Sequence, residues 1–190
     1  ALQAVYTIRR LGNGRLVGHN TDVYGFEKMA KEKRIRGRKV LVLGTGGASS
    51  AICQALRNLG AKEILQVSRS RRPEPNCCTY DELNRHLDAQ VIVNSTPIGM
   101  YPNNGHSPLD GCSVQWTDFE QLETALDAIY NPYRTKFLMD AEEAGAEVES
   151  GLAMLVYQGL RSAQIWGEVP RSGKGRRIVT EQTRGENSRK

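Results

Sequence analysis

Lys39-Val40-Leu41-Val42-Leu43 runs directly into Gly44-Thr45-Gly46-Gly47-Ala48. A short run with almost no polar residue reads as a strand buried on both faces, as in the middle of a parallel sheet. A glycine turn at its carboxyl end, followed by a helix to about Leu59 and a stop at Gly60, is the strand–turn–helix opening of a dinucleotide-binding unit. In that setting Gly44 permits the tight turn and Gly46 lets the backbone approach a pyrophosphate. Gly47 lies at the helix N-terminus, whose free N–H groups and positive dipole end favour a phosphate. The spacing is not the usual G-x-G-x-x-G, because Ala48 and Ser49 follow where a late glycine is common. A glycine turn needed only for packing is the alternative reading.

Strand and helix signals alternate through the rest of the chain. Residues 3–9 predict a strand, Leu11 to Gly14 a turn, and Arg15 to Gly18 the returning strand of a hairpin. Thr21 is the expected N-cap of a helix whose apolar stripe is Val23, Phe26, Met29 and Ala30, ended by the charged run Lys31 to Arg38. Strands are predicted at Glu63 to Val67, Gln90 to Val93, Ala125 to Tyr130 and Glu147-Val148. Helices are predicted at Tyr80 to Leu87, Phe119 to Thr124, Thr135 to Ala144 and Gly151 to Trp166, with a Pro/Gly/Asn-rich loop over 97–111. The pattern implies an α/β fold, a Rossmann-like doubly wound parallel sheet with helices on both faces.

A net charge of +5 invites a nucleic-acid reading, but residues 171–190 hold seven Lys/Arg and two Glu and so account for all of it. The basicity belongs to a tail of the solvated, disordered kind, and no nucleic-acid readout motif accompanies it. No apolar run approaches the roughly 20 residues of a membrane span, and Ala1 to Arg10 lack a signal-peptide pattern. Cys53, Cys77, Cys78 and Cys112, with histidines at 19, 86 and 106, match no metal spacing. Reduced thiols in a cytoplasmic protein are the expectation.

About 20 residues beyond the glycine loop, a dinucleotide fold normally carries its cofactor choice: an acidic residue for NAD, basic residues for the 2′-phosphate of NADP. Here stand Ser68-Arg69-Ser70-Arg71-Arg72. Guanidinium groups bind phosphate oxygens in pairs, so NADP (as NADPH) is the expected cofactor. An ordinary basic surface loop is the alternative.

Five motifs then occur in order: Asn20-Thr21-Asp22-x-x-Gly25, Gly44 to Ala48, Asn94-Ser95-Thr96-Pro97-Ile98-Gly99-Met100, Asp127-Ala128-Ile129-Tyr130-Asn131-Pro132, and Gly151-Leu152-Ala153-Met154-Leu155-Val156-Tyr157-Gln158. Together, over about residues 3–170, they resemble the shikimate dehydrogenase family. The resemblance implies NADP-dependent reduction of 3-dehydroshikimate to shikimate on the route to aromatic amino acids. It implies a two-domain protein, with small-molecule partners and a homodimer among its assemblies. On that plan, 1–20 is a hairpin remnant of the substrate domain, 21–150 the NADP domain, 151–170 a helix packing back toward the substrate domain, and 171–190 the tail. Most of the substrate domain, with the family's catalytic lysine, falls outside these residues.

By the same resemblance Asp22 is the catalytic aspartate, and Asp22, Tyr130 and Gln158 contact substrate. Gly44, Thr45, Gly46, Gly47, Ala48, Ser68, Arg69, Ser70, Arg72, Thr96, Ala128 and Gly151 form the cofactor site. Where the family usually has Ala-Val-Asn-Thr, this chain has Ala4-Val5-Tyr6-Thr7, which puts substrate affinity or identity in question. A non-catalytic dinucleotide- or shikimate-binding module and an NAD-dependent quinate/shikimate dehydrogenase are the alternatives. A final expectation concerns Val5, Ile8, Leu155, Leu160 and Trp166, which would be exposed if nothing covers the hairpin and last helix.

Overall fold

The computed structural model of the chain describes residues 4–167. The predicted tail at 171–190 and the start of the first predicted strand at residue 3 lie outside the described residues.

An antiparallel hairpin, β1 (Thr7–Arg10) and β2 (Leu16–His19), leads into α1 (Thr21–Met29). The alternating part follows: β3 (Lys39–Leu43), α2 (Gly47–Asn58), β4 (Glu63–Ser68), β5 (Cys77–Thr79), β6 (Val91–Asn94), β7 (Thr124–Asp127), α3 (Lys136–Glu143), β8 (Glu147–Glu149) and α4 (Leu152–Trp166). The six strands β3 to β8 pair in parallel in the order β5-β4-β3-β6-β7-β8. The chain starts in the middle, winds outward through β4 and β5, then returns to β6 and winds the other way. The order therefore reverses between β3 and β6, and the crevice outside their carboxyl ends is where such sheets take ligands.

The apolar run of β3 serves both faces because side chains alternate along a strand. Val40 and Val42 pack with Phe26, Met29, Ile52, Leu56 and Met154, under α1, α2 and α4. Leu41 and Leu43 pack with Phe137, Leu138 and Ala141 of α3, and with Leu83, Leu109 and Phe119. Both clusters are closed to solvent, so one five-residue strand anchors both halves of the core. This Rossmann-like architecture is the one expected.

Several boundaries differ. Asn20, not Thr21, caps α1: its side chain accepts from the N–H groups of Asp22 and Val23. Tyr80 to Leu87 forms a 3₁₀ turn, Tyr80–Arg85, held by a Thr79/Glu82 capping box. Phe119 to Thr124 is not helical; the 3₁₀ turn lies earlier, at Trp116–Asp118, Phe119 plugs the core and Thr124 opens β7. Strand β7 stops at Asp127 rather than Tyr130, because the Asp127 carboxylate accepts from the Ile129 N–H and turns the backbone. The three-residue edge strand β5 was not expected. Leu160, expected at the surface, is buried, because α4 lies along α1 and touches β1. Val5, Ile8, Leu155 and Trp166 are exposed.

Candidate functional site

The loop after β3 is built for close approach. Gly44 has φ +105°, a backbone angle that favours glycine, and a Cβ there would lie 2.8 Å from the Ser95 hydroxyl. Its N–H donates to the Val67 carbonyl at 2.8 Å, while the Ser95 hydroxyl donates to the Leu43 carbonyl at 2.6 Å. The ends of β3, β4 and β6 are thereby tied together. Gly46 caps α2 with no side-chain hydrogen bond, no acidic residue occupies the first turn, and a Cβ on Gly46 would meet nothing within 4 Å. The helix start thus has no side-chain cap and open space at Gly46, while at Gly47 the Tyr6 hydroxyl would lie 3.3 Å from an added Cβ; an uncapped helix N-terminus suits a phosphate. Thr45 and Ala48 flank these glycines. Ser49, which the sequence reading did not single out, fixes the loop from beneath. Fully buried, it donates to the Gly44 carbonyl at 2.8 Å and accepts from Gln66 at 2.7 Å.

At the end of β4, Ser68 is buried and its hydroxyl accepts from the Ser70 N–H and from Arg72 Nε, both at 3.4 Å. Arg69, Ser70, Arg71 and Arg72 are exposed. Arg71 is turned toward Glu82, 3.9 Å away, whereas Arg69 and Arg72 have no carboxylate partner among the described residues. Two guanidiniums without a carboxylate partner, that of Arg72 touching the Ser68 hydroxyl, thus stand one strand away from the glycine loop.

Across β6 and β7, a buried polar cluster holds two further loops in place. Asp127 is fully buried and accepts from Thr135 Oγ1 at 2.6 Å, Ile129 N at 2.9 Å and Asn94 Nδ2 at 3.1 Å. Burial pushes its carboxyl up to about 6, although these three donors oppose the rise. Asn94, also fully buried, accepts from the N–H and hydroxyl of Thr96 at 2.9 and 2.7 Å and donates to the Ile98 carbonyl at 3.2 Å. Thr96 and Ala128 are therefore positioned by one network, and the Ala128 N–H donates to the Asn94 carbonyl at 2.9 Å. Gly151 packs so tightly on Ala128 that an added Cβ would fall on the Ala128 carbonyl. Its N–H donates to the Ile129 carbonyl at 2.9 Å. This packing alone requires glycine at 151.

Of the residues assigned to substrate, Asp22 lies in the first turn of α1, and Gln158 stands in the middle of α4, which packs along α1. Thr21 Oγ1 donates to Gln158 Oε1 at 3.3 Å. The helices meet closely because Gly25 has no side chain: a Cβ there would lie 2.6 Å from the Met154 carbonyl oxygen. Asp22, next to Thr21, is partly buried, and burial raises its carboxyl above the usual range while a hydrogen bond from Tyr6 pulls the other way. Tyr130 stands apart from this group, exposed in the loop after β7. Tyr6 is the neighbour that sequence reading missed as a site residue, treating it only as a departure from a pattern.

A cavity of about 530 Å³ opens elsewhere, between the hairpin, α1, α2 and α4, and is lined by His19, Tyr24, Glu27, Gln54 and Arg161 among others. Of the residues above it takes in only Thr21, and the glycine loop, whose backbone geometry is specific, is the better candidate. All four cysteines are free. Among the described residues no cluster of metal-ligating side chains occurs, and no helix is long and apolar enough to cross a membrane.

A doubly wound parallel sheet with a glycine loop at its switch point defines the class as a Rossmann-like α/β protein. No family model matches the chain. It is 35% identical to the NADP(+) shikimate dehydrogenase of Bacillus cereus, over 91% of this chain and 67% of that protein. Among solved structures, it resembles a chorismate mutase/shikimate 5-dehydrogenase fusion protein from Clostridium acetobutylicum, with a TM-score of 0.81 and 36% identity over 95% of this chain and 64% of that one. It also resembles the Thermus thermophilus shikimate 5-dehydrogenase in complex with NADP(H) and shikimate, with a TM-score of 0.75 and 28% identity over 95% of this chain and 69% of that one. The chain belongs to the shikimate dehydrogenase family and spans about two thirds of the length of these relatives.

Proposed function

We propose that these residues form the NADP-binding part of a shikimate dehydrogenase, an oxidoreductase that reduces 3-dehydroshikimate to shikimate. The observation that carries this reading is the glycine-lined, uncapped start of α2 at the β3–β6 switch point. NADPH, when bound, supplies the hydride. Gly44 to Ala48 hold its pyrophosphate, the α2 dipole favours the negative charge, and Arg69 and Arg72, with Ser68 and Ser70, take the 2′-phosphate. A chain selecting NAD would call for a carboxylate where Ser68 and Arg69 stand, which speaks against the NAD-dependent quinate reading.

The nicotinamide end falls to Thr96, Ala128 and Gly151, whose backbones the Asn94–Asp127 network holds still. Asp22, in the first turn of α1, and Gln158, in the middle of α4, hold substrate hydroxyls, with Tyr130 at the edge. Carbonyl reduction also needs a proton for the developing alkoxide. Asp22, kept partly buried and raised above the ordinary carboxylate range, takes part in that proton traffic and orients the hydroxyls around it. On this reading residues 21–150 are the cofactor domain, while the hairpin before them and α4 after them face the substrate.

The test is to mix the purified protein with NADPH and 3-dehydroshikimate and follow loss of reduced-nicotinamide absorbance, alongside a direct NADPH titration. NADPH binding is the expected result and, in protein that also carries the lysine-bearing part of the substrate domain, turnover that Asp22→Ala lowers 100-fold or more, in line with loss of about 10²–10⁴-fold from acid–base help. Turnover unaffected by Asp22→Ala removes Asp22 from the chemistry. Failure to bind NADPH removes the cofactor assignment.

A further inference from the structure

The peptide between Gly44 and Thr45 is the softest link in the glycine loop, and one side chain decides which way it faces. Upstream the chain is held. The Gly44 N–H donates to the Val67 carbonyl at 2.8 Å, and Ser95 and Thr96 fill the space that a side chain on Gly44 would take. Downstream, α2 begins at Gly47, and the Ser50 N–H donates to the Gly46 carbonyl at 3.2 Å. Between these anchors Gly44, at φ +105°, lacks the Cβ that would restrict its backbone. The rigid peptide plane can therefore turn about the torsions on either side of it. What stops it is Ser49.

A serine hydroxyl has one proton to give. Gln66 Nε2 donates to the Ser49 oxygen at 2.7 Å, which leaves the Ser49 proton for the Gly44 carbonyl, 2.8 Å away. Ser49 is fully buried, so water does not compete for that proton. The Gly44–Thr45 bond is trans, and in a planar trans peptide the C=O and N–H point opposite ways. Pinning the carbonyl toward Ser49 thus aims the Thr45 N–H the other way. That N–H has no acceptor among the described residues.

We infer that Ser49, backed by Gln66, is a positioning residue for the pyrophosphate: it holds the Gly44 carbonyl inward so that the Thr45 N–H meets the phosphate as a donor. Neither side chain belongs to the glycine motif; one comes from the buried face of α2 and the other from β4. The inference rests on the dinucleotide reading of the loop. Without the Ser49 hydroxyl, the Gly44 carbonyl becomes a partly buried acceptor with no partner, which is a costly state. Turning outward to water relieves it. The turn brings the carbonyl oxygen to face the phosphate and takes the Thr45 N–H away from it, so an acceptor replaces a donor in front of an anion.

The test reads two quantities on isotope-labelled protein: the dissociation constant for NADPH, and the NMR position of the Thr45 amide proton with and without NADPH. In the parent chain NADPH is expected to move that proton downfield, as a hydrogen bond to a charged oxygen does. Ser49→Ala should weaken NADPH by about tenfold or more, the worth of a hydrogen bond to a charged group. It should also abolish the downfield shift of Thr45, even at saturating nucleotide. A Thr45 proton that stays put in the parent, or an affinity unchanged by Ser49→Ala, overturns the inference. Weaker binding with the Thr45 shift intact overturns it too, since a general loosening of the loop gives that result. No NADPH binding by parent or variant overturns the dinucleotide reading itself, and this inference with it. Should Ser49→Ala disturb the fold by circular dichroism, Ser49→Cys, close in size but a weak donor, carries the same expectation.

Discussion

Replacing Asp127 by Asn should make the fold less sensitive to pH, and the size of the effect follows from where the carboxyl sits. Asp127 is fully buried beneath the loops that carry Thr96 and Ala128. Its carboxyl titrates at about 6 in the fold against 3.8 for the ordinary group. At about 1.4 kcal/mol per tenfold, that difference is worth about 3 kcal/mol. For an acid raised on folding, the native state binds more protons than the unfolded chain between the two values. The contribution is therefore fully present below 3.8 and is lost as pH rises through about 6. Between pH 4 and pH 8 the loss amounts to about 2.5 kcal/mol.

Asparagine resembles the protonated carboxyl: its carbonyl can keep accepting from Ile129 N and Asn94 Nδ2, while its amide meets the Thr135 hydroxyl as a donor. Near pH 4 the two proteins should thus have similar stability, and near pH 8 the variant should be the more stable by about 2.5 kcal/mol. Urea unfolding across that range supplies the measurement. Groups such as Asp88 and Asp110, which are held below their usual range, shift both curves alike and cancel in the difference. Parallel stability curves for Asp127 and Asp127→Asn would refute the reasoning, since they would mean that the buried carboxylate bears no cost.

Two other substitutions probe the scaffold that positions the site. Gly25→Ala places a Cβ 2.6 Å from the Met154 carbonyl oxygen; it should prise α4 from α1 at a cost of about 1–3 kcal/mol, seen as a lower urea midpoint. Asn20→Ala removes the α1 cap, two accepted hydrogen bonds. It should cost about 1 kcal/mol and loosen the Ala4 to Tyr6 segment, seen as faster amide exchange there.

The sequence was most legible where one local pattern needed one local structure. The apolar run at 39–43 and the glycines after it required a buried strand, a tight turn and a helix, and they form as expected. Serial strand and helix signals likewise implied the parallel sheet. Legibility failed where long-range side-chain bonds decided the outcome. Nothing local marks Asp127 as the group that ends β7, because its partners Asn94 and Thr135 come from other elements. Strand β5 has only three residues and an unremarkable Cys-Cys-Thr sequence, and it exists because the edge of β4 is there to pair with it. Tyr6 read as an odd residue in a hairpin strand; its approach to Gly47 depends on how the segment before β1 passes the start of α2. Gly25 and Gly151 belonged to recognised motifs, yet the helix and loop contacts that demand glycine there emerge only from packing.

Calorimetric titration of the protein with NADPH and NADH, repeated for Arg69→Ala and Arg72→Ala, tests the central claim most directly. The account predicts that NADPH binds more tightly than NADH, and that each arginine substitution weakens NADPH by roughly tenfold or more, the worth of a charge-assisted hydrogen bond, while leaving NADH nearly unchanged. Equal affinity for the two nucleotides, indifferent to both arginines, would contradict the NADP assignment, and no binding of either would contradict the reading of Gly44 to Ala48 as a dinucleotide loop.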